Sequence, residues 1–404
     1  MKSKNPVKTL AFRFLLCFFL LCKIPKTSSS APPPPDVTFS HSPSSSPPYN
    51  HLPSSTHSSL RRILLGILFG CITGAFASII FLFSIRLFLF FTNRTPILKG
   101  PVIFYPKISP KALKVNFSGN PDPSQMLGSS PNGKYFKLQL NSELTVAVKV
   151  LQTSYSSGSP GPNSNSWKRK VQRELELLAK VSHRNVMSLR AYVRDHDRFS
   201  LVYDFIPNGS LDDAMKRVRL AQLRLGWEFR HRIAVGMVKG LKHLHFECIP
   251  RILHYNLKPT NVLLDEDFDT KLGDCGLTRL VMAAVDASIS SCYVAPECFQ
   301  SCRYTDKSDI YSFGVILSML LTGRDPCDSF FREEAGRGGL VPWLRHLQQV
   351  GEAREALDKG IVGEGEEEEM LMAVRIALVC LSDLPADRPS SDELEAMLAQ
   401  LHSF

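Results

Sequence analysis

The sequence predicts an α+β fold with two lobes, a small β-rich lobe and a larger helical lobe, tethered to one transmembrane helix. Three observations support this prediction. Residues 63–85 form a stretch of 23 residues without a charged side chain. Two strand-like segments follow later, at 134–140 and 144–151, and apolar residues then recur at helical spacing up to the C-terminus. We expect the folded domain to occupy residues 126–404.

The net charge of +10 is concentrated near the N-terminus. Residues 1–125 hold 14 Lys and Arg against 2 Asp and Glu, whereas residues 126–404 hold 34 against 36. A domain that binds nucleic acid needs a basic surface of its own, so the slightly acidic domain excludes that class of function. The basic residues instead flank apolar segments, which is typical of membrane targeting.

The first 30 residues, 1–30, have the organisation of a secretory signal peptide. Three Lys residues precede an apolar core of nine residues, 14–22, which is too short to span a bilayer. An uncleaved signal anchor is the alternative. Residues 31–60 contain 8 Pro and 9 Ser, and this composition buries too little apolar surface to offset the entropy of folding. We expect a disordered extracellular stalk there.

The transmembrane region is expected at residues 61–91, with residues 63–85 as its apolar core. A helix of 23 residues is about 35 Å long, which is enough to cross the hydrocarbon layer. Basic residues are more numerous after this core than before it, which places the C-terminal side in the cytosol. Residues 92–125 then form a cytosolic juxtamembrane segment. The expected location is the cell membrane, with the N-terminus outside.

Small residues recur every four positions in the predicted membrane helix, at Gly66, Gly70, Gly74 and Ser78. This spacing places them on one face, where a partner helix can approach closely. Glycine is also frequent in membrane helices without such a role, so the stripe has a second explanation. A packing face without its partner also suggests that the chain waits in the endoplasmic reticulum membrane until the partner is present.

Of the ten cysteines, seven lie between residues 248 and 380. None lies between residues 31 and 60, which excludes an exported disulfide scaffold there. Cys298 and Cys302 have no second pair that would complete a zinc site, so we expect no structural metal. We expect the seven cysteines between residues 248 and 380 to be free thiols in the cytosol.

Short sequence motifs follow one another in a fixed order from residue 128 onward. In chain order they are Gly128-x-Ser130-x-x-Gly133, Val146-Ala147-Val148-Lys149, a helical segment with Glu174, His254-Tyr255-Asn256-Leu257-Lys258, Asn261, Asp274-Cys275-Gly276 and Ala295-Pro296-Glu297. Each is weak evidence alone. The whole set in this order and spacing is that of the protein-kinase signature.

More specifically, the chain resembles the plant receptor-like kinase family, which is related to the interleukin-receptor-associated and Pelle kinases. The resemblance covers roughly residues 126–404, and its further motifs are His183-Arg184-Asn185-Val186, Pro207-Asn208-Gly209-Ser210-Leu211, Asp309-Ile310-Tyr311-Ser312-Phe313-Gly314 and Asp387-Arg388-Pro389. It implies the bilobal protein-kinase fold. It also implies an ion pair between Glu297 and Arg388 and a supporting role for Asp309 under the catalytic loop.

The kinase pattern assigns a nucleotide site and two Mg²⁺ ligands. Its nucleotide-binding positions are held here by Gly128, Ser130, Gly133, Ala147, Lys149 and Glu174, and its metal positions by Asn261 and Asp274. Lys149 is expected to contact the phosphates and to pair with Glu174. We expect ATP and Mg²⁺ to bind only weakly, because Ser130 replaces a glycine and Pro131 lacks a backbone N–H donor. Tyr135 stands where the pattern has Val.

Three departures at the catalytic centre predict a pseudokinase. Asn256 occupies the position of the catalytic Asp, although Lys258 is retained, and an amide cannot accept the substrate's hydroxyl proton, a step worth ~10²–10⁴-fold. Tyr255 replaces an Arg that pairs with activation-loop phosphate. Cys275 replaces a Phe that packs under the helix carrying Glu174, and its smaller volume supports that helix less firmly.

We therefore expect a membrane-anchored adaptor or co-receptor. The resemblance implies pairing with a leucine-rich-repeat receptor-like protein that lacks a kinase domain, through transmembrane and juxtamembrane contacts, with other receptor kinases as further partners. It also implies a part in CLAVATA signalling, in which CLE-type peptides control stem-cell number in meristems. Two alternatives are a weakly active Ser/Thr kinase and an ATP-gated switch without turnover.

Overall fold

The computed structural model describes residues 56–92, 98, 100–117, 122–130, 133–142, 144–151, 165–195, 198–277, 291–301, 303–333, 338–363 and 367–401. The predicted signal peptide, residues 31–55 of the predicted stalk, and Pro131 lie outside these ranges. The chain divides into two compact units, Met1–Phe90 and Phe91–Phe404.

The first unit contains a long helix, α1, Thr56–Thr92. Within it, Leu60–Phe88 spans 29 residues with a mean hydropathy of 2.4 and is long and apolar enough to cross a membrane. The helix begins before the predicted region, so residues 56–60 are helical and not part of a disordered stalk. Neither Pro nor Gly occurs at these five positions, and nothing there interrupts the helix.

A six-stranded antiparallel sheet forms the small lobe of the second unit. Its strands are β1 Val102–Ile103, β2 Met126–Ser130, β3 Gly133–Gln139, β4 Thr145–Leu151, β5 Ala191–Asp195 and β6 Arg198–Asp204, in the spatial order β1-β5-β6-β4-β3-β2. Two helices accompany them, α2 Pro110–Phe117 and α3 Asn165–Leu178. β4 buries β-branched Val146 and Val148 on one face, a pattern that favours a strand packed on a core.

The juxtamembrane segment belongs to this lobe, so the predicted start of the domain at residue 126 is too late. β1 pairs with β5, and Ile108 and Leu113 are buried in one cluster with Val146 and Val202. The Arg190 guanidinium lies 4.6 Å from the centre of the Tyr105 ring. A two-residue strand and an eight-residue helix are too short for hydrophobic periodicity to reveal.

The large lobe is helical. Its helices are α4 Leu211–Arg219, α5 Trp227–Lys242, α6 Pro296–Ser301, α7 Asp306–Thr322, α8 Phe330–Glu333, α9 Leu340–Val350, α10 Glu367–Cys380 and α11 Ser391–Gln400. Helix α7 is buried on all sides, which matches its apolar sequence. It packs against α10 at Gly314, where a Cβ would lie 2.8 Å from the Cβ of Cys380.

A short hairpin between α5 and α6 positions the loops of the candidate site. Its strands are β7 Val262–Leu264 and β8 Thr270–Leu272. A 3₁₀ turn, Pro259–Asn261, leads into β7, and Asp274 follows β8 by two residues. The hairpin therefore brings the two sequence motifs that surround it to one end.

Cys292 and Cys327 form a disulfide, so the expectation of free thiols is wrong for these two residues. Their Cα atoms are 6.1 Å apart, a normal separation for a disulfide. They are separated by 35 positions in the sequence, and spacing alone cannot reveal such a pairing. The free cysteines of the described residues are Cys71, Cys248, Cys275, Cys298 and Cys380.

Candidate functional site

A buried carboxylate from α7 fixes the backbone of the loop that follows α5. Asp309 accepts hydrogen bonds from the backbone N–H groups of His254, at 2.8 Å, and Tyr255, at 3.1 Å. The Tyr304 hydroxyl donates a third at 2.7 Å, and His245 Nε2 lies 3.0 Å from the same carboxylate. Burial disfavours ionisation of Asp309, but these partners, with His245 foremost, hold its pKa below the usual value. The loop is therefore rigidly supported.

Asn256 lies in this supported loop at the position of the catalytic Asp. Its backbone carbonyl accepts a hydrogen bond from Asn261 Nδ2 at 2.8 Å. The Asn256 side chain has no hydrogen-bond partner among the residues that the structure describes. The preceding Tyr255 packs its ring against Tyr304, with the ring centres 4.8 Å apart, where the kinase pattern has a cation. The loop thus keeps its shape but lacks a base.

Lys149 is fully buried, and its ammonium contacts Tyr135 and Asp274 inside the cleft. Its ammonium forms an ion pair with Asp274 and donates a hydrogen bond to Tyr135 Oη at 2.8 Å. The same nitrogen lies 4.7 Å from the centre of the Tyr135 ring, which is a cation–π geometry. Tyr135 and Lys149 face each other directly across β3 and β4, so their side chains share one face of the sheet. The tyrosine therefore covers the ammonium that the kinase pattern assigns to phosphate.

Burial shapes the electrostatics of this Tyr135–Lys149–Asp274 cluster. It raises the pKa of the Tyr135 phenol well above its usual value, and the Asp274 carboxylate raises it further. Burial also lowers the pKa of the Lys149 ammonium, against the attraction of Asp274. The pKa of Lys258 is likewise lowered by burial, again against Asp274. A neutral phenol thus adjoins an ion pair that is largely removed from water.

The predicted ion pair between Lys149 and Glu174 is not formed in the described part of the chain. Glu174 is half-buried on α3, while the Lys149 ammonium is already engaged by Asp274 and Tyr135. The Asp274 carboxylate takes the place of Glu174 as the ionic partner, and Tyr135 supplies a further acceptor directly opposite Lys149. The Val of the kinase pattern could not accept a hydrogen bond from Lys149 at this position.

Cys275 leaves a small cavity next to α3. The cavity is lined by Leu178, Val186, Leu189 and Tyr203 beside Cys275 itself. The buried thiol donates to the carbonyl of Leu272 at 3.5 Å, and burial raises its pKa well above the usual value. The small side chain therefore supports α3 less than the Phe of the kinase pattern would.

The glycine-rich segment forms the β2–β3 hairpin. Gly133 pairs with Ser130 and has φ +148°, and a Cβ there would lie 2.3 Å from the carbonyl oxygen of Val150, so glycine is required. Gly128 is half-buried and has open space around it. Ala147, on β4, is the cross-strand partner of Tyr203. The two strands are paired as far as Ser130 and Gly133 although the middle glycine of the pattern is replaced.

The donor types at the predicted metal positions suit Mg²⁺, but one of the two carboxylate or amide groups is engaged by another side chain. The Asp274 carboxylate is bonded to the Lys149 ammonium, whereas Asn261 uses only its Nδ2 donor on the loop backbone, which leaves its Oδ1 for a metal ion. Tyr135 also covers Lys149. Nucleotide could enter only after Tyr135 moved and this ion pair opened. Elsewhere in the described residues, no group of three or more His, Cys, Asp or Glu is placed to hold a metal ion.

Glu297 and Arg388 lie together at the base of the large lobe. Both terminal nitrogens of Arg388 donate to the Glu297 carboxylate, each at 2.8 Å. Arg388 also donates to the carbonyl oxygens of Ser382 and Lys307. Burial opposes ionisation of Glu297, but the Arg388 hydrogen bonds hold its pKa below the usual value. The structure therefore forms the ion pair that the family resemblance implies.

The four small residues Gly66, Gly70, Gly74 and Ser78 all lie on α1. A Cβ added at any of the three glycines would have no neighbour within 4 Å, and the Ser78 hydroxyl donates to the Gly74 carbonyl at 2.9 Å. The three glycines therefore leave room beside the helix backbone on this face of α1.

Sequence reasoning noted Tyr135 as a substitution but missed its contact with Lys149. It also missed Tyr304 and His245 as partners of Asp309. The β3–β4 register contained a signal for Tyr135, because the two segments are joined by a short connection that sets which residues face each other. His245 is 64 positions away from Asp309 in the sequence, and Tyr304, only five positions before Asp309, belongs to none of the recognised motifs.

Comparison with known proteins identifies the family of this chain. The family model of the protein kinase domain matches residues 123–396. The chain is 61% identical over 316 residues to the inactive leucine-rich repeat receptor-like protein kinase CORYNE of Arabidopsis thaliana, covering 78% of each protein. It is 34% identical over 318 residues to the leucine-rich repeat receptor-like serine/threonine/tyrosine-protein kinase SOBIR1 of Arabidopsis thaliana, covering 75% of this chain and 49% of SOBIR1.

A solved structure is also similar. The pseudokinase domain of BIR2, an immune regulator of the RLK/Pelle family, matches with a TM-score of 0.62 and 29% identity, over 76% of this chain and 91% of that one. The predicted bilobal kinase fold and the predicted receptor-like family are confirmed. With Asn256 in place of the catalytic Asp and inactive kinases among its relatives, the chain belongs to the protein kinase family as a receptor-like pseudokinase.

Proposed function

We propose that the protein is a single-pass membrane adaptor or co-receptor whose kinase-like domain provides a signalling surface and does not transfer phosphate. The observation that supports this most directly is the Tyr135–Lys149–Asp274 cluster, which occupies the phosphate end of the cleft. Asn256 removes the base at the same site. Because Asp309 and the Glu297–Arg388 pair still hold the large lobe, the fold survives while the chemistry is lost.

The proposed partner is a leucine-rich-repeat receptor-like protein without a kinase domain, which would supply the folded sensor for a CLE-type peptide. The names of CORYNE and SOBIR1 place leucine-rich-repeat receptors among the relatives. The small-residue face of α1 with Gly66, Gly70, Gly74 and Ser78 suits a close helix–helix approach. Such a complex would act in the control of meristem stem-cell number, and other receptor kinases could join it.

The proposed location is the cell membrane, with the N-terminus outside and residues 92–404 in the cytosol. The greater number of basic residues after Leu60–Phe88 supports this orientation. We further propose that the chain remains in the endoplasmic reticulum membrane until its partner binds. Surface delivery measured with and without a co-expressed receptor tests this, and equal delivery would refute it.

The helix contact can be tested with two matched substitutions in the full chain. Gly74→Leu places a leucine side chain on the small-residue face, whereas Ala75→Leu places the same side chain about 100° around the helix. Co-precipitation of a kinase-less leucine-rich-repeat receptor should fall several-fold for Gly74→Leu and stay unchanged for Ala75→Leu. Equal capture of both variants would contradict the proposed interface.

Two alternatives concern nucleotide. A weakly active Ser/Thr kinase would use Lys258 and bound metal without a carboxylate base, and an ATP-gated switch would bind nucleotide without turnover. Phosphotransfer from ATP by the purified full chain, compared with its Lys149→Ala variant, separates them. We expect no transfer by either protein. Robust transfer that disappears in Lys149→Ala would establish an active kinase, and stabilisation by ATP with Mg²⁺ alone would favour the switch.

A further inference from the structure

The disulfide between Cys292 and Cys327 joins two segments that the fold holds in place by other contacts. Cys292 lies in the 3₁₀ turn Ser291–Tyr293, just before α6. Cys327 lies between α7 and α8. The bond therefore connects the segment after the Asp274-Cys275-Gly276 motif to the loop that leaves the central helix of the large lobe.

The position of Cys292 does not depend on its sulfur. The Ser312 hydroxyl on α7 donates to the carbonyl oxygen of Tyr293 at 2.7 Å. The Tyr293 hydroxyl lies 4.0 Å from the sulfur of Met319, also on α7. These contacts place the turn against α7 whether or not the cysteine is bonded.

The position of Cys327 is also fixed locally. Its backbone N–H donates to Asp325 Oδ1 at 2.9 Å, and the backbone N–H of Asp328 donates to the carbonyl oxygen of Asp325 at 3.0 Å. Cys327 is exposed to solvent, and Cys292 is partly exposed. Two thiols held at bonding distance by independent contacts, with one open to small reagents, can form and break their bond without unfolding of the domain.

The other described cysteines of this unit are poorer candidates for such chemistry. Cys275 and Cys380 are buried, and burial raises the pKa of both thiols, to about 12 for Cys380. Burial also raises the pKa of Cys248 and of Cys298. Less thiolate means slower oxidation of these four cysteines, whereas Cys327 is exposed and already lies at bonding distance from Cys292.

We infer that Cys292 and Cys327 form a reversible redox-modification site, which is closed by a peroxide and opened by a cellular thiol such as glutathione. On closing, the Cys327 thiolate attacks one oxygen of hydrogen peroxide and breaks the O–O bond, which gives a sulfenic acid and, with a proton, water. The Cys292 thiolate then attacks that sulfur, the S–OH bond breaks, and the departing hydroxide takes a proton to become a second water. Two thiols are oxidised by two electrons and one peroxide is reduced.

Opening runs by thiol–disulfide exchange. A glutathione thiolate attacks Cys327, the more exposed sulfur, and Cys292 leaves as a thiolate; a second glutathione then releases Cys327 and forms glutathione disulfide. In the open state, Ser291–Tyr293 keeps the Ser312 contact but loses its covalent link to the segment before α8. The site thus adjusts how firmly the chain leading into α6 is anchored.

The test uses the full chain in lipid nanodiscs, equilibrated in glutathione buffers from a cytosolic to an oxidising ratio. Free thiols are trapped with N-ethylmaleimide, and the bonded peptide is measured by mass spectrometry. We expect the ratio of bonded to free pair to change at least tenfold across this range. A pair that stays bonded at every ratio, or never bonds, would overturn the inference.

Backbone amide exchange supplies the second readout. Amides of Ser291–Tyr293 should exchange roughly ten times faster after reduction, while those of α7 stay unchanged. In Cys327→Ser, the amides of Ser291–Tyr293 should exchange as fast as in the reduced chain, and added hydrogen peroxide should not change this rate. Cys248→Ser should behave as the unaltered chain. Equal exchange of the turn in the bonded and open states would show a bond without effect and would also refute the site as a switch.

Discussion

Tyr135 is the side chain whose replacement tests the closed cleft most directly. In the structure, nucleotide phosphate could reach Lys149 only after the hydrogen bond from Lys149 Nζ to Tyr135 Oη, 2.8 Å long, is broken and the ring is displaced. Tyr135→Val removes both obstacles and restores the residue type of the kinase pattern. Because Val is β-branched, it also suits the strand.

The size of the effect follows from the two contacts. A hydrogen bond to a charged group contributes about 1.5–3 kcal/mol, and a desolvated cation–π contact about 2 kcal/mol. These two contributions overlap, so we take about 3 kcal/mol as the free energy that nucleotide must overcome, which is about 100-fold in dissociation constant. Tyr135→Val should therefore bind ATP with Mg²⁺ about 100-fold more tightly than the unaltered chain.

The assay is thermal unfolding of the full chain with increasing ATP and Mg²⁺. A 100-fold difference in dissociation constant gives a difference in ligand stabilisation that approaches about 2.7 kcal/mol at high ligand, or a shift of roughly 5–10 °C. Tyr135→Phe keeps the ring and loses the hydroxyl, so its ATP response should fall between the two. Leu138→Val is the matched control, since Leu138 packs on the opposite face, next to the cluster of Ile108 and Leu113. It should lower stability without increasing the ATP response.

Two results would refute this reasoning. The first is a folded Tyr135→Val protein that ATP stabilises no more than the unaltered chain, which would mean that Tyr135 does not close the cleft. The second is strong stabilisation of the unaltered chain itself, which would mean that the Lys149–Asp274 ion pair opens at little cost.

Three further outcomes are expected. Leu113→Ala should destabilise the domain by about 3 kcal/mol in urea unfolding, because Leu113 is fully buried; an unchanged midpoint would show that the juxtamembrane segment is not part of the core. Arg388→Met should cost about 3 kcal/mol at pH 7, since it removes the arginine partner of the partly buried Glu297 carboxylate. The pKa of Glu297 is lowered in the folded state, so its contribution is present above the unfolded pKa and is lost as the pH falls through the folded one. Between pH 6 and pH 3, the free energy of unfolding should therefore decrease less in Arg388→Met than in the unaltered chain. Equal decreases in the two proteins would contradict the assignment. Asn256→Asp should leave radiolabelled phosphate transfer undetectable, because Tyr135 still covers Lys149; transfer at the level of an active kinase would show that the missing base alone inactivates the protein.

The sequence predicts the parts of this fold that depend on long periodic patterns or on ordered motifs. The apolar core of α1, the presence of two lobes and the loops around Asn256 and Asp274 follow from hydrophobic pattern and motif order. The prediction was wrong about the juxtamembrane segment, because β1 has only two residues and gains its stability from pairing with β5. Leu113 lies in the same juxtamembrane segment, and its burial becomes apparent only from the folded sheet.

The site was less predictable for a different reason. Asn256 and Cys275 could be recognised as substitutions, since each occupies one position of a linear motif. The contact of Tyr135 with Lys149 depends instead on strand register, and the Cys292–Cys327 bond on a fold that joins residues 35 positions apart. In both cases the chemistry depends on pairs, and a single sequence does not show which residues form them.

The departures from the kinase pattern act on one small region from three separate elements. Tyr135 on β3 covers Lys149, Cys275 after β8 leaves a cavity beside α3, and Asn256 removes the base from a loop that Asp309 still holds. None of the three lies in the packing between α7 and α10, which keeps the large lobe intact. Catalysis depends on the cleft, whereas the outer surface depends on the core. The protein can therefore lose catalysis while its outer surface stays folded. A pseudokinase that signals through its surface requires this separation.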